Sequence, residues 1–365
     1  MSKQRIFGLD ILRVLACYMV IQVHAGEFFY IGEASAGEFL YIGEANAFLG
    51  GNDAFWVNLY NSLCRTAVPL FVMITGYFIL PVKEELGIFL KKRFTRVLIP
   101  FVVWCALYAF YQYFRGQVEL GMAFLNILKI PVNFGTEIGH LWYVYMLIGL
   151  YLFFPIISPW LNMASKKHLQ LYLLLWSVSL CLPYIHQIYP EVLGEAYWNH
   201  TPSLYYFSGF LGYAILAFYI KKFHAEKKKE HLPIGSLLVV AGYIITYLVF
   251  ASQAITSQKL WDVELSWGFE TINVGMMSLG LFLLVKNIQR SSSTVFNNLI
   301  TSISNLSYGM YLLHIMILNI FYSLFNELIG SVTIKIPLIA ICCFISSYLV
   351  TKILSYLPKN KYLIG

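Results

Sequence analysis

Arg13 and His24 are two ionisable residues in one apolar segment, LDILRVLACYMVIQVHAG, near the start of the chain. Their spacing is almost three turns of an α-helix, so we expect both side chains on one face, about 16 Å apart along the axis. Ionisable groups inside a membrane helix are costly and indicate function. The pair predicts a polar path that runs inward from the cytoplasmic side and ends at an imidazole. Alternatively, Arg13 extends to the interface and His24 is an interfacial histidine.

A second pair of cations, Arg93 and Arg96, lies in the segment KKRFTRVLIP, residues 91–100. Residues three apart share one face of a helix. Two guanidinium groups at the cytoplasmic end of a membrane span suit phosphate oxygens, which accept paired hydrogen bonds. Anchoring of the helix by positive charge explains the same residues equally well.

Arg65 lies inside a third apolar segment, NSLCRTAVPLFVMITGYFIL, four residues before Pro69. A guanidinium buried in a membrane needs a partner. The preferred interpretation is a structural ion pair. The candidate partners are carboxylates on the outer side, namely Glu27, Glu137 and Glu270.

Two further histidines lie in apolar segments. His314 ends the motif SYGMYLLH and either lines the same polar path or is a satisfied histidine of the core, which is the preferred interpretation. His140 precedes Trp142 and Tyr143 in GHLWYVYMLIGLYLFFP. Since aromatic residues concentrate at membrane interfaces, we predict that His140 is interfacial rather than catalytic.

The elements that position these residues are membrane helices. The chain has 365 residues, of which 59% are hydrophobic and 12% charged, and its mean hydropathy is +0.68. A soluble protein carries about twice that charged fraction. The sequence predicts an all-α integral membrane protein, a single bundle and a single domain over residues 1–365. Ten spans are predicted at residues 8–26, 56–80, 96–114, 139–159, 168–187, 203–221, 233–252, 267–286, 306–325 and 333–355.

Charge distribution predicts the orientation of the chain. Most of the 25 lysines and arginines fall in segments that are cytoplasmic if both termini are cytoplasmic. The net charge of +7 follows from this bias and requires no nucleic-acid partner. The first span is expected to be a retained helix rather than a cleaved signal. All six cysteines lie in apolar spans, so we predict neither a disulfide nor a metal site.

The predicted outer loop, residues 26–55, is acidic and aromatic. It contains a tandem duplication, GEFFYIGEASA at 26–36 and GEFLYIGEANA at 37–47. The simpler interpretation is a duplicated segment whose aromatic residues lie in the membrane interface. The alternative is a surface of aromatic rings and carboxylates for a glycan.

At these residues the sequence resembles the acyltransferase-3 family of bacterial membrane proteins, over nearly its whole length. Arg13 and His24 match the opening Arg-x10-His motif, and Arg93 and Arg96 match an Arg-x-x-Arg motif. Three more segments match in similar order: RTAVPLFVMITGYFIL, GHLWYVYMLIGLYLFFP and SNLSYGMYLLH. The chain is most similar to the short, stand-alone type of O-acetyltransferase. The duplication in residues 26–47 departs from the family pattern and leaves the acceptor open.

The resemblance implies an enzyme of the bacterial inner membrane that moves an acyl group, usually acetyl from cytoplasmic acetyl-CoA, to a hydroxyl of an extracytoplasmic or lipid-linked glycan. His24 is then the general base, because an imidazole titrates near neutral pH. An acyl-histidine intermediate is the second route. The donor phosphates are expected at Arg93, Arg96 and Arg13, with His314 along the donor path, and Arg65 stabilises the oxyanion. Membrane lipids are the remaining partner.

The rival hypothesis is a transporter or flippase that exports a sugar without acyl transfer. Such a protein would use the same buried polar residues as a translocation path. Transporters often contain paired internal repeats, and the only repeat in this chain is the short duplication.

Overall fold

The computed structural model describes residues 5–29, 52–199, 201–224, 229–257 and 259–365. The tandem duplication at 26–47, with its predicted place in an outer loop, lies outside these residues except for its first four positions. In the described part, the regular elements are helices, with 3₁₀ turns at Tyr205–Phe207 and Leu265–Trp267. The helices are α1 (Phe7–Glu27), α2 (Asn52–Cys64), α3 (Ala67–Ile79), α4 (Leu86–Phe114), α5 (Leu120–Leu128), α6 (Phe134–Glu137), α7 (Trp142–Met163), α8 (Lys166–Ser179), α9 (Leu182–Ile188), α10 (Leu211–Phe223), α11 (His231–Thr256), α12 (Leu260–Val263), α13 (Ile272–Val285), α14 (Thr294–Leu328), α15 (Val332–Leu354) and α16 (Lys361–Ile364).

Long apolar helices confirm the all-α membrane fold. Within the described residues, nine helices are long and apolar enough to cross a membrane, and they match nine of the predicted spans. The tenth prediction, residues 203–221, differs from the structure. There a 3₁₀ turn and Gly209, with φ of 90°, precede the 13-residue helix α10. The orientation of the termini stays a prediction.

The chain forms two compact units. Unit 1 comprises residues 1–20, 58–82 and 156–304, and unit 2 comprises residues 21–57, 83–155 and 305–365. The prediction of a single domain stays a prediction. Unit 1 is built on helices in close contact. A Cβ on Gly76 of α3 would lie 2.5 Å from the Cα of Ala214 in α10, and one on Gly280 of α13 would lie 2.6 Å from the carbonyl oxygen of Gly235 in α11. Small residues permit this close packing of membrane helices.

Unit 2 is organised around α4. The indole of Trp104 donates to the carbonyl of Leu363 at 2.8 Å, which attaches α16 to α4. The hydroxyl of Tyr308 in α14 donates to the carbonyl of Val97, also at 2.8 Å. Proline interrupts the backbone hydrogen bonding of α4 at position 100, and side-chain bonds of this kind compensate in membrane helices.

Three lysines of unit 1 bind the carboxyl ends of helices. Lys221 donates to the carbonyls of Tyr77 (2.7 Å) and Leu80 (3.2 Å) after α3, and Lys222 donates to that of Ala164 (3.2 Å) after α7. Lys286 donates to the carbonyl of His224, at 2.8 Å, after α10. Cations at these positions satisfy terminal carbonyl groups and oppose the helix dipole.

Candidate active site

The last turn of α1 holds His24 and Glu27 on one face, since they are three residues apart. The Nδ1 atom of His24 lies 2.7 Å from Oε2 of Glu27, and the two side chains are 16% and 18% exposed. A carboxylate only accepts hydrogen bonds, so Nδ1 carries the proton and donates. In the neutral form of the ring, the Nε2 atom of His24 then presents a lone pair. A carboxylate that fixes the tautomer of an imidazole in this way is the arrangement of a general base.

Two other imidazoles of unit 2 lie against His24. The ring centre of His314 is 5.4 Å from that of His24, and the ring centre of His140 is 6.3 Å away. His140 and His314 are 4.9 Å apart with their planes at 81°, an edge-to-face contact. The segment before α7 and helix α14 thus bring two distant histidines to the end of α1.

Tyr311 holds both of these histidines. Its carbonyl oxygen lies 2.6 Å from Nδ1 of His314, and its hydroxyl donates to the carbonyl of His140. The Nε2 atom of His314 and both ring nitrogens of His140 are buried and have no hydrogen-bond partner of normal geometry among the described residues. Such groups are rare in folded proteins and call for a functional explanation.

The electrostatic environment keeps His140 neutral. Burial lowers its pKa well below the ordinary value of 6.5, and the imidazoles of His314 and His24 act in the same direction. The carbonyls of Leu312 and Ile138 oppose the shift. Positive charge on the ring of His140 is therefore disfavoured.

The structure corrects the interpretation of His140 as an interfacial residue. Its side chain is 2% exposed and lies among aromatic rings of α4 and α14, including Tyr108 at 5.4 Å. Its neighbours Trp142 and Tyr143 suggested the interface, and no local signal in the sequence indicated burial. His314 is fully buried and bonded through Nδ1, so its predicted place on the donor path stays a prediction.

Arg13 belongs to unit 1, where it is held by a hydrogen-bond network. Its Nη1 atom donates to the hydroxyl of Ser304 at 3.3 Å, and that hydroxyl donates to Asp10 at 2.7 Å. Asp10 also accepts two bonds from Arg5, at 2.5 and 2.9 Å. Asp10 and Ser304 were missed in the sequence, although Asp10 is the one acid in the first turn of α1. Arg13 and His24 do lie on one uninterrupted helix, and the polar path between them stays a prediction.

Arg93 and Arg96 belong to unit 2, one turn apart in the first half of α4. The guanidinium carbon of Arg93 lies 5.5 Å from the ring centre of Phe89, and its Nε atom is buried without a hydrogen-bond partner in the described part of the chain. Arg96 is exposed. The neighbouring Lys92 is bonded to Glu84 at 2.8 Å. No such acidic partner of either arginine is found among the described residues, and binding of phosphate by the pair stays a prediction.

Arg65 occupies a two-residue break between α2 and α3. Pro69 has no N–H to bond the carbonyl of Arg65, which explains the break. The guanidinium carbon lies 4.1 Å from the ring centre of Trp267, which stacks on Phe250. This contact stabilises a buried cation. Of the three carboxylates suggested as its partner, Glu27 is bonded to His24. Stabilisation of an oxyanion by Arg65 stays a prediction.

Metal ligands are not grouped anywhere in the part of the chain that the structure describes. All six cysteines are free thiols, four of them buried. Five of the six lie within helices and Cys181 precedes α9, and these positions fit the packing role expected of small apolar side chains.

Comparison with known proteins assigns the chain to a family. A model of the acyltransferase-3 family, described as an acyltransferase domain, matches residues 6–356. No curated protein and no solved structure gives a significant match to the chain. The matched residues include the histidine cluster, the Arg13 network and the arginines of α4. The chain therefore belongs to the acyltransferase-3 family and is a multi-pass membrane acyltransferase.

Proposed function

We propose that this protein is an O-acyltransferase that moves an acetyl group, or a similar acyl group, from cytoplasmic acyl-CoA to a hydroxyl of an extracytoplasmic or lipid-linked glycan. The observation that carries the proposal is the bonded pair of His24 and Glu27, in a chain of this family. The bacterial inner membrane is the proposed location, and acetyl-CoA is the proposed donor.

The chemistry follows from the tautomer of His24. Nε2 removes the proton from the acceptor hydroxyl while the oxygen attacks the thioester carbonyl carbon. The imidazolium that forms is stabilised by the carboxylate of Glu27, which also holds the ring in place. Collapse of the tetrahedral intermediate breaks the carbon–sulfur bond. The proton on Nε2 then passes to the leaving thiolate, so that an ester and a free CoA thiol are the products.

The donor is recognised through its phosphates. CoA carries several negative charges, and paired guanidinium groups suit phosphate oxygens. Arg93 and Arg96 are proposed to bind them, because Nε of Arg93 is buried without a partner in the described chain and Arg96 is exposed. Arg13 is proposed as a further donor-binding residue, held in place by Ser304 and Asp10.

The test measures transfer of label from acetyl-CoA to a panel of oligosaccharide acceptors by the full-length protein purified in detergent. Loss of transfer is expected in His24→Gln. The matched control is His186→Gln, because His186 also pairs with a carboxylate, Glu195, at 2.6 Å but lies in unit 1. Full transfer in His24→Gln would remove the general base from the mechanism. Size-exclusion chromatography checks that both variants fold.

A further inference from the structure

His314 is a buried titratable residue that the proposed reaction does not use. It is fully buried, and its ring centre lies 5.4 Å from that of His24, with the planes tilted by 35°. The imidazole of His24 is the group of the proposed reaction that His314 contacts directly.

The protonation of the His314 ring follows from its one hydrogen bond. A carbonyl oxygen only accepts, so the 2.6 Å contact with Tyr311 places the proton on Nδ1. Nε2 is then a lone pair, and it is buried without a partner in the described part of the chain. An unsatisfied buried acceptor lowers the stability of the folded state. An apolar side chain at this position would avoid that cost.

The carboxylate of Glu27 favours positive charge on His24 rather than on the other two rings. It is bonded to Nδ1 of His24 at 2.7 Å. His140 stays neutral. Four weakly acidic groups also lie at this cluster. The ring of Tyr108 contacts His140, that of Tyr311 contacts His314, Tyr143 contacts Tyr311, and the thiol of Cys343 donates to the carbonyl of His314. A proton taken from a substrate resides on His24.

We infer that His314 is a positioning residue of the transfer reaction, whose unpaired Nε2 supplies a fixed partial negative charge next to the imidazolium that His24 becomes. The inference rests on the proposed function, because it needs His24 to accept a proton during transfer. A dipole already oriented before charge develops stabilises the transition state more than the ground state. The same atom that lowers the stability of the resting protein then increases the rate.

The alternative is that His314 is a core histidine retained for its bond to Tyr311. Two amide substitutions separate these roles. His314→Asn places its amide near the Nδ1 position, so it can keep the bond to Tyr311 but loses the acceptor at Nε2. His314→Gln can place a carbonyl oxygen at the Nε2 position but loses the bond. Wild type, both variants, His24→Gln and the control His186→Asn are compared by kcat, by KM for acetyl-CoA and by thermal unfolding in detergent.

The inference predicts that kcat falls about tenfold or more in His314→Asn, with KM unchanged, and recovers most of the way in His314→Gln. A rate in His314→Asn equal to wild type, or higher than that of His314→Gln, would overturn it. Loss of kcat in both variants in proportion to lost thermal stability would also overturn it. If His24→Gln itself remains fully active, the proposed function has failed. If His24→Gln is inactive and His314→Asn is fully active, only the role of His314 has failed.

Discussion

The carboxylate of Glu27 is expected to control the rate of transfer through its bond to His24. Glu27→Gln removes the negative charge and keeps the size of the side chain, and its amide oxygen can still accept from Nδ1. The change therefore isolates the charge from the geometry. The 2.7 Å contact and side-chain exposures of 16% and 18% show that water screens the pair only partly.

The size of the effect follows from the strength of a hydrogen bond to a charged group. Such a bond contributes about 1.5–3 kcal/mol. Each 1.36 kcal/mol corresponds to roughly a tenfold change in rate. If the whole contribution is made in the transition state, kcat falls about ten- to hundredfold. In Glu27→Gln the fall in kcat is expected to be about tenfold, because the amide oxygen still accepts from Nδ1. In Glu27→Ala it is expected to be about a hundredfold.

The assay measures release of the CoA thiol over time with saturating acetyl-CoA, for Glu27→Gln, Glu27→Ala and wild type. Glu195→Gln is the matched control, since it breaks the other histidine–carboxylate pair, and it should leave kcat within about twofold. Equal kcat in Glu27→Ala and wild type would refute the assignment of Glu27 as the residue that orients the base. A change in KM alone would mean that Glu27 acts in binding.

Two further predictions concern the donor and pH. The double variant Arg93→Ala/Arg96→Ala should bind CoA at least tenfold more weakly, with a smaller dependence of the affinity on salt, as measured by calorimetry. The control Lys166→Ala/Lys167→Ala should bind CoA as wild type does. Unchanged binding in the arginine variant would place the phosphate site elsewhere. The free energy of unfolding should fall as pH drops below 6.5, because burial lowers the pKa of His140, so that the unfolded chain binds a proton that the folded chain does not. Thermal unfolding between pH 7.5 and 5 should show a smaller decline in His140→Gln, and an equal decline would contradict this sign.

Much of the fold could be predicted because membrane helices leave a strong signal. An apolar run of the right length specifies a span almost by itself. The one predicted span without a matching long helix in the described chain, residues 203–221, lies where Gly209 takes a positive φ and α10 is only 13 residues long. The mean hydropathy of a window does not reveal such a break in a helix, because it depends on composition and not on backbone geometry.

The site could be predicted only in part. His24 stood out because ionisable residues are rare in apolar spans, and Glu27 could have been found as its partner from their spacing of three residues. The burial of His140 and its contact with His314 could not be found in this way. They depend on packing between the segment before α7 and helix α14 near the end of the chain, which no local pattern encodes.

Three of the lysines that contribute to the net charge of this protein also bind the ends of helices. Lys221, Lys222 and Lys286 contribute to the formal net charge of +7, but backbone carbonyls already surround their ammonium groups. Burial also lowers the pKa of Lys286. Each of these three ammonium groups therefore has a structural role as well as a charge. Replacing one of them would remove the hydrogen bonds that hold the end of a helix, together with the charge itself.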